Sequence, residues 1–448
     1  MARRMSTVTY RTALRSIRRF LGRMEESWRS LVVGALIGIL GALAVAAFRT
    51  LLIALEEVFV GAHDGYLVAA ADRLAPEARF LAPAVGSLAA GVLLWLAQRD
   101  SPLPAVPHGG DYIEAVVIGQ GRLDLRGGIL KVLASLLVVS TGGAVGREGA
   151  MVLLAAMGAS AVGRVLGRAV NLRLVVSCGA AAGLAAAYHA PLAGAVFVAE
   201  ILLGSLALSQ LGPVIVAAVM AYDTSMILGE PAILFPLAAV PAISAFQVVL
   251  MVALSLVGGL VGAGLLRWLR AARRAFEWFA LPLPLTFALG GLAVGGLSLL
   301  RPEVWGNGYS GIAQQLNAPG AWQVIALILG LKLLAVGATT GSGAPGGVFT
   351  PTLFVGATFG ALIAAALARF GVTQVVEPGY AVLGMAMLLA ATTHAPVMAA
   401  LMVVEMTGQY GLLPVLLPAC VLATVVSQRL NRESVYGLTK HTAIQISG

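Results

Sequence analysis

The sequence predicts an all-α, polytopic membrane protein built from two related halves, and three observations carry that reading. Hydrophobic residues make up 59% of the 448 positions and charged residues only 11%, against roughly 25% charged in an average soluble domain. Mean hydropathy is +0.93, and a soluble fold of this size needs far more polar surface than that supplies. Long stretches carry no Asp, Glu, Lys or Arg, among them Ser30–Phe48, Phe80–Gln98, Ile201–Tyr222, Trp278–Leu300, Val304–Leu331, Leu333–Ala368 and Met406–Gln428. A helix needs about 20 apolar residues to span a bilayer, so each run holds one helix and the longest hold two. Strict polar–apolar alternation is absent, which excludes a membrane β-barrel reading. The third observation is an internal match.

Cys178–Pro191 (CGAAAGLAAAYHAP) matches Leu383–Pro396 (LGMAMLLAATTHAP) 205 positions on, with 8 of 14 residues identical. The match extends to Glu200 and Glu405, each nine residues past its proline. Gly143-Ala144-Val145-Gly146 echoes Gly343-Ala344-Pro345-Gly346 at an offset of 200. These place repeat 1 at residues 31–230 and repeat 2 at 231–430. Repeats in a polytopic chain point to a transporter or channel, with its site at the repeat interface on helices broken by Gly and Pro.

Charge sets the expected orientation. Residues 1–30 carry eight arginines against Glu25 and Glu26, supplying +6 of the formal +9. Lying beside an apolar run, this segment reads as a cytoplasmic flank rather than a nucleic-acid site. The cluster Arg267, Arg270, Arg273 and Arg274 marks a second cytoplasmic connection, and the 431–448 segment with Arg432 and Lys440 a third. The acidic stretch from Glu56 to Glu77 suits an outward loop. No cleavable signal is evident, since the first apolar run exceeds a typical h-region of about 7–15 residues. No soluble domain is expected after the membrane portion. Cys178 and Cys420 sit in apolar runs and read as buried structural thiols.

Glu148 is the most informative residue. It stands in Gly146-Arg147-Glu148-Gly149 between two uncharged runs of fifteen residues, where a carboxylate is costly unless paired, protonated or hydrated. An ion pair with Arg147 is the bland explanation, but adjacent helical side chains diverge by about 100°, so neutralisation is not automatic. The flanking glycines let backbone amides approach an ion, and a helix starting here aims its positive end inward. Gly341–Pro351 (GSGAPGGVFTP) is the second-half counterpart. Its GxGxxG lacks the preceding strand and the following acid of a dinucleotide fold, so it reads as a broken helix with free amides. His189 and His394, each before Ala-Pro, read as helix-end caps. Glu200 and Glu405 read as structural groups at matching helix ends. An intramembrane serine protease, with Ser342 as nucleophile and His394 as base, is the alternative from another class.

GREG at 146–149, GSGAPGGVFTP at 341–351 and Tyr436 within Glu433-Ser434-Val435-Tyr436 together resemble the ClC chloride channel and transporter family. The stretches Asp111–Ala115 and Gly146–Ala150 are most similar to its bacterial ClcB-type branch. The resemblance implies a bundle of two antiparallel, inverted repeats with broken and re-entrant helices. It implies that Glu148 is the gating, proton-accepting carboxylate, with Gly146, Arg147 and Gly149 around the anion at a helix N-terminus. Val348 and Phe349 would coordinate the anion by backbone amides, and Tyr436 by its hydroxyl. The implied protein is a homodimer in lipid, moving chloride or a similar anion across the bacterial inner membrane, with no cofactor, no metal, no nucleic acid and no enzymatic role. Both termini would be cytoplasmic.

Two departures from the family pattern bear on mechanism. The family's serine motif corresponds here to Pro107–Asp111, without serine, leaving His108 and Gly109 as the anion-path candidates and anion preference open. Proton-coupled members carry two consecutive glutamates where this chain has Glu200 and Ile201. A channel-like pathway gated by Glu148 is therefore expected, with chloride/proton antiport as the alternative.

Overall fold

The computed structural model describes residues 16, 23–62, 67–100, 111–117, 120–203, 208–237, 244–372 and 375–437. Among them the regular structure is helical apart from one isolated β-bridge. The first half contains α1 (Glu26–Val60), α2 (Leu67–Arg73), α3 (Pro76–Asp100), α4 (Asp111–Val117) and α5 (Leu125–Ser140). It continues with α6 (Glu148–Leu166), α7 (Leu172–Tyr188), α8 (Pro191–Phe197) and α9 (Leu208–Ile227). The second half contains α10 (Ala245–Trp278), α11 (Leu283–Leu300), α12 (Tyr309–Asn317), α13 (Trp322–Gly341) and α14 (Phe349–Arg369). It ends with α15 (Glu377–Thr393), α16 (Pro396–Thr407) and α17 (Leu413–Leu430). Apart from α2, the two halves follow one order, so that α6 corresponds to α14 and α8 to α16.

Nine helices among the described residues are long and apolar enough to cross a membrane. The chain is a multi-pass membrane protein. Charge interrupts these helices less than the uncharged runs suggest. α1 continues through Arg49, which pairs with Glu230 and donates to the Ala186 carbonyl, and α13 passes straight through Lys332.

α7 and α15 are 17 residues each and are buried on all sides almost throughout. Only small residues allow that. Gly183 lies against the backbone of Val152, and Gly384 against that of Gly356, so α7 packs on α6 as α15 packs on α14 without room for a Cβ. Each of these core helices ends at a histidine in the left-handed conformation, His189 at φ 56° and His394 at φ 60°. Each histidine N–H closes the helix, on Ala185 O and Ala390 O respectively, and Ala-Pro then opens the next helix with Pro at its first position. The two His-Ala-Pro motifs are chain-reversing caps.

The halves are interlocked through their acids. Glu405 Oε1 and Oε2 accept from the amides of Leu192 and Ala193 at 3.0 and 2.8 Å. Glu200, in the π-helical turn after α8, accepts from Val397 and Met398 at 3.3 and 2.9 Å. Each carboxylate caps the N-terminus of the other half's short helix, where amides have no intrahelical acceptor. Such reciprocity is the mark of a pseudo-two-fold axis between the repeats.

Candidate functional site

Two interrupted helices meet at the centre of the molecule. α5 gives way to residues 141–147 before α6 begins, and α13 gives way to residues 342–348 before α14 begins. Gly142 at φ 100° and Gly343 at φ 86° turn the chain in equivalent places, a conformation that a side chain resists. The segments then pair antiparallel: Gly146 N donates to Gly347 O and Gly347 N to Gly146 O, both at 2.7 Å. Because equivalent segments run antiparallel, the helices that follow leave in opposite directions and their N-termini face each other. Two positive helix ends converge on one point.

The bridge sets the repeat register here at 201, one more than the GAxG match at offset 200 suggests. Ser342 thereby corresponds to Thr141 rather than Gly142. Both hydroxyls turn back into the preceding helix, Ser342 Oγ onto Thr339 O at 2.8 Å and Thr141 Oγ1 onto Leu137 O at 2.8 Å. His394 Nε2 instead faces Ser427 Oγ at 3.5 Å, so Ser342 and His394 are each engaged elsewhere.

Glu148 is the first residue of α6 and is 3% exposed. Its carboxylate folds back over the bridge, so close that a Cβ on Gly146 would collide with Oε2. Gly146 thus seats the carboxylate by lacking a side chain, while its amide holds the bridge. Oε1 accepts from Asn307 Nδ2 at 2.9 Å, and Oε2 is buried without a hydrogen-bond partner. Arg147 does not neutralise Glu148 from the next position. Its guanidinium lies over the Tyr309 ring, 5.2 Å from the centroid, a cation–π contact.

Asn307 comes from the short segment between the turn Pro302–Val304 and α12. That segment is held from behind by Lys332, which is fully buried. The ammonium donates to the carbonyls of Val304 and Gly306 at 2.9 Å, Trp305 at 3.2 Å and Glu303 at 3.5 Å. It also sits 5.3 Å from the Phe354 ring centroid. Four carbonyl dipoles and an aromatic face compensate the buried charge. Asn307 Oδ1 accepts from Tyr309 N at 3.2 Å, which fixes the direction of its amide.

On the second-half side, Val348 is the N-cap of α14 and Phe349 its first residue. Gly149 is the second residue of α6. Such amides have no intrahelical carbonyl to bond. The Phe349 ring lies 4.9 Å from that of Tyr188, whose hydroxyl pairs with Thr350 Oγ1 at 3.0 Å. Tyr188 lies within electrostatic reach of both Glu148 and Tyr436. Tyr436 packs its ring edge-on against Phe197 at 5.8 Å, and Val435 N donates to Thr392 O at 2.9 Å to anchor the segment. Ile201 follows Glu200 in the π-helical turn and adds no ionisable group there. His108 and Gly109 lie outside the described residues, as do residues 1–15, 17–22 and 438–448.

The model of the voltage gated chloride channel family matches residues 104–428. The chain belongs to the ClC family. A voltage-gated ClC-type chloride channel ClcB of Salmonella dublin is 48% identical over 415 residues, covering 91% of this chain and 98% of that protein. The protein of the same name from Escherichia coli strain SMS-3-5 is 46% identical over 419 residues, 93% and 99% of the two chains. ClC assignment and ClcB-type kinship therefore both stand. Among solved structures, a slow cyanobacterial Cl-/H+ antiporter aligns at TM-score 0.80 over 95% of this ClC chain and 100% of that one, at 23% identity. A CLC-type fluoride/proton antiporter aligns at TM-score 0.72 and 23% identity, covering 92% and 97%. At such identity these structures establish the ClC fold, an inverted pair of repeats, and nothing finer.

Asn307, Tyr309, Lys332 and Tyr188 gather around Glu148 and the start of α14 although the sequence assigns none of them a role. Two of them stand in a legible context, Lys332 as a single cation between the uncharged runs Val304–Leu331 and Leu333–Ala368, and Tyr188 directly before the repeated His-Ala-Pro.

Proposed function

We propose that this protein conducts chloride-type monovalent anions across the bacterial inner membrane through a pathway that Glu148 gates. The observation that carries the reading is the Glu148 carboxylate seated over the Gly146–Gly347 bridge, where two helix N-termini converge. A place that suits an anion is held by the protein's own anion. When ionised, Glu148 competes with the permeant ion. Protonation removes its charge and its claim on Asn307, and the side chain leaves. The amides of Gly149, Val348 and Phe349, with the charge of Arg147 behind them, then receive the anion. Tyr436 supplies a hydroxyl donor further along, and Tyr188 lines the interval between it and Glu148.

We take the pathway to be channel-like, because Ile201 puts an apolar side chain where proton-coupled relatives place an acid, and Glu200 is engaged by the Val397 and Met398 amides. Each subunit of a homodimer would hold one such pathway within the lipid bilayer. The arginine-rich residues 1–30 and the 431–448 segment would face the cytoplasm, which puts the far end of α1 at the outer surface.

Anion efflux from reconstituted liposomes, with simultaneous proton tracking, tests the proposal. Channel-like conduction predicts a chloride flux whose reversal potential ignores an imposed proton gradient. A reversal potential that moves with the proton gradient would assign the chain to chloride/proton antiport instead.

A further inference from the structure

Glu56, near the end of α1, is fully buried, and neither carboxylate oxygen has a hydrogen-bond partner. Its main chain caps α1, accepting from Ala62 N at 3.2 Å, but that leaves the side chain unexplained. A buried carboxyl without a donor is costly. The cavity that it faces has a volume of about 40 Å³ and is also lined by Arg147, Asn307 and Tyr309. These are the residues around the Glu148 carboxylate. The space exceeds the ~10–15 Å³ that a water needs, and its walls are polar, so water belongs there.

The small chamber adjoins a larger one of about 410 Å³, lined by Asp72, Arg301, Glu303 and Gln314 among others. Val68 of α2 and Ser310 of α12 line both. The two form a stepped route from the far end of α1 toward Glu148, with Glu56 at its narrow part. The charged or titratable groups facing Glu56 across its chamber are Arg147, before α6, and Tyr309, on α12. Asp72 on α2, with Arg301 and Glu303 beside the turn Pro302–Val304, stands in the outer chamber, and Lys332 on α13 lies behind the Gly306 carbonyl.

We propose that Glu56 is a second proton-binding carboxyl that relays protons between the outer chamber and Glu148 through water held beside Arg147 and Asn307. This rests on Glu148 being the gate. A hydronium in the outer chamber gives its proton to the Glu56 carboxylate. Glu56 passes it to the chamber water, which releases a proton to the Glu148 carboxylate, leaving Glu56 ionised and ready for the next. One proton is moved and none is created. Closing runs the same steps backwards.

The test is a step of external pH from neutral to acid on reconstituted liposomes, following the onset of chloride efflux in a stopped-flow instrument. Glu56→Gln removes the relay and slows activation about tenfold or more, whereas Glu56→Asp keeps a proton-binding group and stays fast. Val68→Phe, which narrows the junction of the two chambers with Glu56 intact, also slows activation and serves if Glu56→Gln fails to assemble. Activation at wild-type speed in either Glu56→Gln or Val68→Phe overturns the proposal. In the Glu148→Gln background, adding Glu56→Gln changes nothing. Should Glu148→Gln alone retain an acid-activated phase, the gating reading fails on its own, whatever Glu56 does.

Discussion

Asn307 Nδ2 donates to Glu148 Oε1 at 2.9 Å, joining residues 159 positions apart. The bond holds the carboxylate in its seat over the Gly146–Gly347 bridge, the closed position of the proposed gate. Hydrogen bonds to charged groups contribute about 1.5–3 kcal/mol. Asn307→Ala is therefore expected to raise the open fraction at neutral pH by roughly ten- to a hundredfold. Anion efflux at neutral pH reads the change.

The glycines of the bridge are not equivalent. A Cβ on Gly146 meets Glu148 Oε2, the far end of a flexible side chain, whereas one on Gly347 meets nothing nearer than 3.4 Å. Gly146→Ala should dislodge the carboxylate and leave a leak at neutral pH. Gly347→Ala should keep the gate closed. Basal efflux of the two variants separates them.

The crossed caps govern stability more than conduction. Glu405→Gln turns an amide NH₂ toward the Leu192 and Ala193 amides, leaving one of those donors unmatched within a buried site. A loss of about 2 kcal/mol follows, read as a lower thermal midpoint in detergent. Glu200→Gln should cost less, because Glu200 is less buried than Glu405.

Much of this architecture was legible in the sequence because membrane helices declare themselves by uncharged length. The repeated His-Ala-Pro and the paired Glu200 and Glu405 mark the two halves in the sequence itself. What the pattern could not convey was that each glutamate caps the opposite half, since a linear match carries no partner. Uncharged runs also mislead where a charge is internally compensated. Lys332 splits two runs yet sits mid-helix, because four carbonyls from a distant segment surround it. Asn307 stands in no motif, and Glu56 reads in the sequence only as part of an acidic stretch; the fold alone brings Asn307 onto Glu148 and Glu56 into the chamber beside Arg147. The glycine motifs mark the helix break in each half but place the register one residue off, since only the bridge shows that Gly146 faces Gly347.

The most direct measurement is chloride efflux from liposomes bearing Glu148→Gln, followed across external pH. In the wild type, flux should rise as pH falls, because protonation discharges the carboxylate that competes with the anion. The glutamine carries no charge at any pH. The variant is therefore expected to conduct at neutral pH as fast as the wild type does in acid, with a flat pH response. A variant that stays closed at neutral pH, or that keeps the wild-type pH profile, would contradict Glu148 as the gate.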